Sequence, residues 1–491
     1  MRRHWISAVA AAALLAGTAG AAGAQQASTA VNIMQATAAL QDNKCAEALP
    51  ILAQLWDDKA LEASDPDLAG EFRAKRVLCT AELTGPADAL ALSTQNLTMA
   101  PVSVDAWGLQ IYLQLGTGQV APAGQTLNAA LTQLGPKVTE LNDLSVIGTL
   151  ALMHDKDPAG ANALMGRLED AGWQVHDVTS RQVLDLFRLE GLRAAVASGD
   201  TAHANAYRAD LQKDAAIYVL SQGDGAVSRG DVPPADVKAM LASEINTVKR
   251  AIVKNPRDLA AITYLVGLET TDDQEELALK QINAMIDLID QNKLSSFENI
   301  DSYADLLSQK AGLLADLGKT EEADAAYVEG EARLGGHGTV GFYTAELGYL
   351  IDRGREKDAL TLFKRFDVSS LRPDQKAAIA SLVACAAVYS GDQADYQDIV
   401  GRMGEGSMAR IRPLMCAGDK ENAAKTIIAL VQDAGSRDSM ITFLQNRPSG
   451  IAWGARNQVY IDGLEALRKR GDVLAAGTQA NILVRNWPIR F

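Results

Sequence analysis

A self-similar period of about 36 residues constrains this chain more than any other feature of its sequence. Leu306, Leu307, Lys310, Leu313, Leu314 and Leu317 recur at three- and four-residue steps, the spacing of one helix face. Gly318 then permits the left-handed backbone that stops a helix. Thr320 is placed to cap the next helix, with Glu321 and Glu322 in its first turn, where the helix dipole favours acid. Ala323, Tyr327 and Gly330 share one face of that second helix, two small residues flanking a ring. The same arrangement returns 36 residues on as Gly354, Ala359 and Phe363, and its glycine returns after another 37 at Gly391. Gly418, Ala423 and Ile427 repeat it again, and Trp107, Gly118, Ala123, Leu127 and Ala130 carry it upstream. Weaker copies surround Ala48, Ala89 and Ala204. A helical hairpin with one apolar face cannot bury that face alone, so the period predicts a stack of hairpins.

Composition agrees. Hydrophobic residues make up 48% of the 491 and aromatics only 5%, so the core is built from Ala, Leu, Ile and Val, which favours close helix contacts. Val, Ile, Thr and aromatic residues do not alternate at period two, which argues against sheets. The expectation is an all-α fold of about 20 helices, at ~11–12 residues per helix plus short turns.

The segments resemble tetratricopeptide repeats. Trp107, Gly118, Ala123 and Ala130 match that pattern, as do Leu307, Gly318, Ala323, Tyr327 and Gly330, and Tyr343, Gly354, Ala359 and Phe363. The glycine of the first helix is usually replaced, the repeat-ending proline is mostly absent and the spacing is uneven. The resemblance implies a right-handed superhelical solenoid of helical hairpins in which the first helix of each pair lines a concave groove. On those helices Asp105, Tyr112, Asp305, Asp316, Tyr349 and Asp352 are the candidate groove residues. The family's carboxylate-binding grooves present Lys, Arg and Asn there. These acids point instead to a basic or apolar segment, or they merely solvate the face.

The N-terminus, MRRHWISAVAAAALLAGTAGAAGAQQ, has a basic start, a short apolar run from Ile6 to Leu15 and a small-x-small site at Ala22-Gly23-Ala24. This reads as an export signal cleaved before Gln25. The run is too short for a stable span of ~20 residues. The arginine pair fits an ordinary basic start or a twin-arginine signal. The stretch SQGDGAVSRGDVPPADVK concentrates Gly, Ser and Asp and ends in two prolines. The organisation expected is therefore a signal peptide at 1–24, an N-terminal array at 25–220, a linker or long inter-helix loop at 221–238 and a C-terminal array at 239–491. Loss of Arg2 and Arg3 with the signal takes the net charge from −15 to −17, which repels nucleic acid and anionic membrane surfaces.

Four cysteines follow the signal, Cys45, Cys79, Cys385 and Cys416, in two pairs spaced 34 and 31 residues apart. In an oxidising compartment neighbour pairing is the natural connectivity; four inert buried thiols are the alternative. No Cys-x-x-Cys or clustered His accompanies them, and His154, His176, His203 and His337 are scattered, so no metal or other cofactor is expected. His-Glu-x-x-His, Gly-x-Ser-x-Gly and the phosphate-binding loop of P-loop enzymes are all absent. The C-terminus, Asn486–Phe491, ends in an aromatic but carries Pro488 and follows helical sequence, so it reads as a segment tucked against the last helix. The function expected is a non-catalytic exported scaffold, periplasmic or extracellular, that binds a protein or peptide of the cell envelope. The competing readings are an envelope glycan-processing enzyme and a structural spacer without a groove ligand.

Overall fold

Aspartate caps many of the helices among the described residues, and glycine closes several of the turns between them. In the computed structural model, the described residues are 21–41, 44–99, 102–154, 156–175, 180–228, 234–335, 340–365, 368 and 371–490. The carboxylates of Asp58, Asp65, Asp157, Asp200, Asp214, Asp258, Asp392 and Asp419 each accept a hydrogen bond from a backbone N–H in the first turn of a helix. Part of the acidic excess is therefore a set of helix caps. Gly118, Gly318, Gly354, Gly391 and Gly418 stand at φ between 72° and 83°. In each case the next residue's N–H bonds a carbonyl five positions back, as Lys319 does to Leu314 at 2.8 Å. That closed turn feeds directly into the next helix, so Thr320 is its first helical residue and not its cap.

The chain packs as two units, Met1–Ala194 and Ala195–Phe491. In the first, the helices are α1 Ala21–Gln41, α2 Cys45–Leu55, α3 Lys59–Ser64, α4 Pro66–Thr84, α5 Pro86–Asn96, α6 Val104–Gly116, α7 Val120–Gln133, α8 Asp143–His154 and α9 Pro158–Asp170. Helix α10, Ser180–Ser198, runs through the division. The second unit contains α11 Thr201–Leu211, α12 Ala215–Gly223, α13 Pro234–Lys254, α14 Leu259–Thr271, α15 Glu275–Asn292, α16 Ser302–Asp316, α17 Thr320–Leu334, α18 Val340–Asp352 and α19 Glu356–Phe363. It continues with α20 Pro373–Ser390, α21 Gln393–Arg402, α22 Ile411–Cys416, α23 Lys420–Gln432, α24 Arg437–Leu444, α25 Ala455–Arg468 and α26 Gly471–Gln479. The 26 α-helices among the described residues exceed the expected number because several, such as α3 and α22, are much shorter than the ~11–12 residues on which that number was based. Among the described residues there are no strands, only three isolated bridges.

Within each unit the hairpins stack as a tetratricopeptide-like solenoid. In the first, α4 packs on α6 and α6 on α8, with α5 and α7 on the other side of the layer. In the second, α14, α16, α18, α20 and α22 form the corresponding row, backed by α15, α17, α19 and α21. The expected linker at 221–238 does not coincide with the division between the units. Ser221–Gly223 complete α12, Pro234 opens α13, and residues 229–233 lie outside the described residues, as do His176, His337 and residues 1–20 of the expected signal.

The repeated small residues are where helices meet. The Tyr327 ring packs 5.8 Å from Phe342 and 5.1 Å from Tyr349. Gly330 makes room for Phe342: a Cβ there would stand 2.6 Å from the ring. Gly330→Ala is therefore expected to lower the unfolding free energy by about 1–3 kcal/mol, measured by urea denaturation. Disulfides join α2 to α4 through Cys45–Cys79 and α20 to α22 through Cys385–Cys416, with Cα–Cα distances of 5.0 and 5.5 Å. Such bonds persist in oxidising compartments. No helix among the described residues is long and apolar enough to cross a membrane.

Candidate functional site

The row α14–α22 of the second unit does not face an empty groove. After α24 the chain returns along it, and Trp453 anchors the returning segment. Its indole N–H donates to the Asp316 carboxylate at 2.7 Å, and its ring lies 5.9 Å from Tyr349. Its carbonyl accepts from the Arg353 guanidinium at 2.9 Å. Next to it Asp352 accepts from Arg412 at 2.6 Å and from the Asn457 amide at 2.9 Å. Gly454 approaches so closely that a Cβ would lie 3.0 Å from the Asp352 carbonyl oxygen. Arg456 reaches Glu356 at 2.7 Å and lies over the Tyr389 ring at 4.4 Å.

A pocket of about 810 Å3 remains between this segment and the helices. Gly341, Thr344, Ala345 and Gly348 of α18, small residues on one helix face, hollow its floor, and Ile451, Trp453 and Leu382 wall it. Burial raises the carboxyls of Asp316 and Asp352 above the ordinary value; the Trp453 bond in one case and the Arg412 charge in the other pull back in part.

Of the residues expected in the groove, Asp316, Tyr349 and Asp352 are brought together here, but their atoms are engaged by the chain itself. Tyr349 is only 1% exposed, so it is a core residue and not one offered to a partner. Asp305 is exposed on α16, apart from this pocket's lining. Asp105 and Tyr112 belong to the first unit, where both are exposed on α6. Trp453, Asn457, Arg412 and Arg490 were missed because they lie outside the best repeat copies. The one local signal was a tryptophan between Gly450 and Gly454 in a stretch that breaks the period.

The C-terminus is likewise held across the unit and not only against its last helix. Leu483 N–H donates to Gly223 O at 2.8 Å, and Gly225 N–H to Asn481 O at 2.9 Å. Arg490 pairs with Asp273 and Glu275, both at 2.7 Å. Trp487 is 5% exposed and bonds the Gln445 side chain at 3.1 Å.

Elsewhere, Glu346 of α18 carries a carboxyl held up at about 7, mainly by burial and then by the charge of Glu331, with Arg365 and Arg355 pulling it down. Burial, and then the charge of Glu346, raise the Tyr327 hydroxyl of α17. Neither glutamate lines the large pocket. Because the folded value lies above the ordinary 4.5, this group's contribution to stability is full below about pH 4.5 and is lost as pH rises through about 7. Glu346→Gln is expected to remove that loss, gaining about 1–2 kcal/mol at pH 8 after allowing for partial exposure, and little at pH 4.5. Urea denaturation of both proteins at the two pH values checks this.

Among the described residues no group of three or more His, Cys, Asp or Glu is placed to hold a metal ion. His154 packs against Phe187, and His203 bonds Asp200 at 2.7 Å.

No protein-family model and no curated protein matches this chain. One solved structure similar to it is that of Naa15/Naa10 bound to HypK-THB, at 15% sequence identity and a TM-score of 0.26, over 92% of this chain and 70% of that one. So loose a likeness adds nothing to the fold argued from the helices themselves.

Proposed function

We propose that the protein is a non-catalytic scaffold that binds a protein or peptide partner along the row α4–α6–α8 of its first unit. The observation that carries this reading is what those helices leave uncovered. Each is buried on all sides but one, and the remaining stripe carries exposed apolar residues, Leu78 on α4, Tyr112 on α6 and Leu144 and Leu152 on α8, between 40% and 67% exposed. Asp67 and Glu82 on α4 and Asp105 on α6 stand exposed on the same stripes. An apolar strip with acidic flanks suits an apolar segment that carries basic residues. The second unit has its own C-terminal segment in the corresponding place, which favours a structural role for that half.

The site of action is outside the cytoplasm, in the envelope or beyond it. The signal-like N-terminus and the two disulfides support this. N-terminal sequencing of the exported protein is expected to begin near Gln25; an intact Met1 counts against export by cleavage.

The binding test is a photo-crosslinking residue at position 112 in the exported protein, with and without Leu144→Asp and Leu152→Asp together. A partner is expected to crosslink and to be lost in the double variant while Asp305→Lys retains it. If the same partners persist in the double variant, the strip is not the binding surface. Charge reversal at Asp316 or Asp352 is unsuited to this question, because those carboxylates hold the second unit together.

A further inference from the structure

The pocket beneath the returning segment of the second unit, about 810 Å3, has the size of a small-molecule site. Five charged side chains line it among the described residues, and four of them are matched within the chain. Asp352 uses one oxygen for Arg412 and the other for Asn457, at 2.6 and 2.9 Å. Asp374 accepts from Arg372 through both oxygens, at 3.2 and 2.9 Å. Arg412 is met by Asp352, and Arg490 by Asp273 and Glu275, both at 2.7 Å.

Asp316 is the fifth, and it differs. Only one of its oxygens is bonded, and the donor is neutral, the Trp453 indole N–H at 2.7 Å. Its charge therefore has no counter-ion in contact with it among the described residues. Burial raises its carboxyl; the Trp453 bond pulls it back, the charge of Glu275 raises it and that of Arg490 lowers it. A partly desolvated carboxylate is stabilised by a partner that brings both a positive charge and a donor. With one oxygen already taken, Asp316 cannot offer a guanidinium its two-oxygen fork, whereas a compact ammonium needs only one acceptor. The apolar walls, Ile451 and Leu382, favour a cation with a hydrocarbon body over a bare ion.

We propose that this pocket binds a small organic amine, its ammonium group on the second oxygen of Asp316 and its hydrocarbon body on Ile451, Leu382 and the small residues of α18. The pocket lies within the second unit, and neither this proposal nor the strip on the first unit depends on the other.

Calorimetric titration of the full-length protein tests it with four probes: 3-phenylpropylamine, the neutral 3-phenylpropan-1-ol, the anionic 3-phenylpropionate and methylammonium. The first is expected to bind saturably, and each of the others about tenfold more weakly or worse. Asp316→Asn keeps an acceptor for Trp453 and removes the charge, and is expected to weaken the amine about tenfold or more. Ala345→Leu fills the floor without touching the charge and is expected to weaken it as much. Asp305→Asn, on the same helix but apart from the lining, is expected to leave it unchanged. Equal binding of amine and alcohol, or no saturable binding of the amine, overturns the proposal. So does methylammonium as tight as the amine, since the walls then contribute nothing, or propionate as tight, since the charge then does not matter. An unchanged affinity in a folded Asp316→Asn or Ala345→Leu protein, or an equal loss in Asp305→Asn, overturns it too. Circular dichroism shows which variants fold; if neither pocket variant does, the four probes on the unaltered protein decide alone.

Discussion

Asp352→Ala is expected to lower the unfolding free energy by about 3 kcal/mol, because it leaves two polar partners on either side of a buried gap. Asp352 is 8% exposed and joins Arg412 at 2.6 Å and Asn457 at 2.9 Å. The figure is at the low end for a broken buried pair because the Arg412 side chain keeps 23% of its exposure and recovers some hydration. Asp352→Asn keeps one acceptor and is expected to cost less, about 1 kcal/mol. Its carboxyl is raised by burial beyond what Arg412 returns, so the charged form is the strained one. That group's contribution is present at low pH and lost as pH rises through its folded value, so the asparagine variant should compare better with the native protein at pH 8 than at pH 4. Urea unfolding at both pH values measures all three proteins. No loss on Asp352→Ala would show that the pairing contributes nothing.

Opening the Cys385–Cys416 bond by replacing both residues with alanine is expected to cost up to about 4 kcal/mol in the chain-entropy account of a loop of this size. The two residues are 31 apart in sequence, and Cys385 is fully buried. The bond ties α20 to α22 across α21 and the loop after it, which contains Gly404 and Gly406. Thermal unfolding with and without reductant checks the size, and non-reducing peptide mapping checks the pairing. Four free thiols in the exported protein would remove the basis for this prediction and for an oxidising compartment together.

Much of the fold was legible because its signals are local. A helix face needs only three- and four-residue spacing, and the closed turn at Gly318 needs only a residue that accepts positive φ. The small residue at Gly330 pointed to a close neighbour, and Phe342 is that neighbour. The candidate site was less legible. Asp316, Tyr349 and Asp352 were placed correctly on the first helices of their hairpins, but nothing near them in sequence says that Trp453, Arg412 and Asn457 occupy their polar atoms and faces. Tyr112 stayed exposed on an equivalent helix of the first unit, although its place in the repeat resembles theirs.

The sequence by itself determined a stack of helical hairpins, since the period, the caps and the turn glycines act over a few residues and repeat along the chain. The resemblance to tetratricopeptide repeats implied that the first helices of the hairpins form one row, and alternate helices do pack on one another in the structure. Only the tertiary structure decided whether that row is open. In the second unit it is closed by a bond from Trp453 to Asp316 across 137 residues, and by Arg490 reaching Glu275 across 215. Such contacts depend on where a non-repeating tail is carried by the helices before it. They leave no periodic trace, because a hydrogen bond between distant residues requires only that the two groups meet, not that their neighbours in sequence follow any pattern.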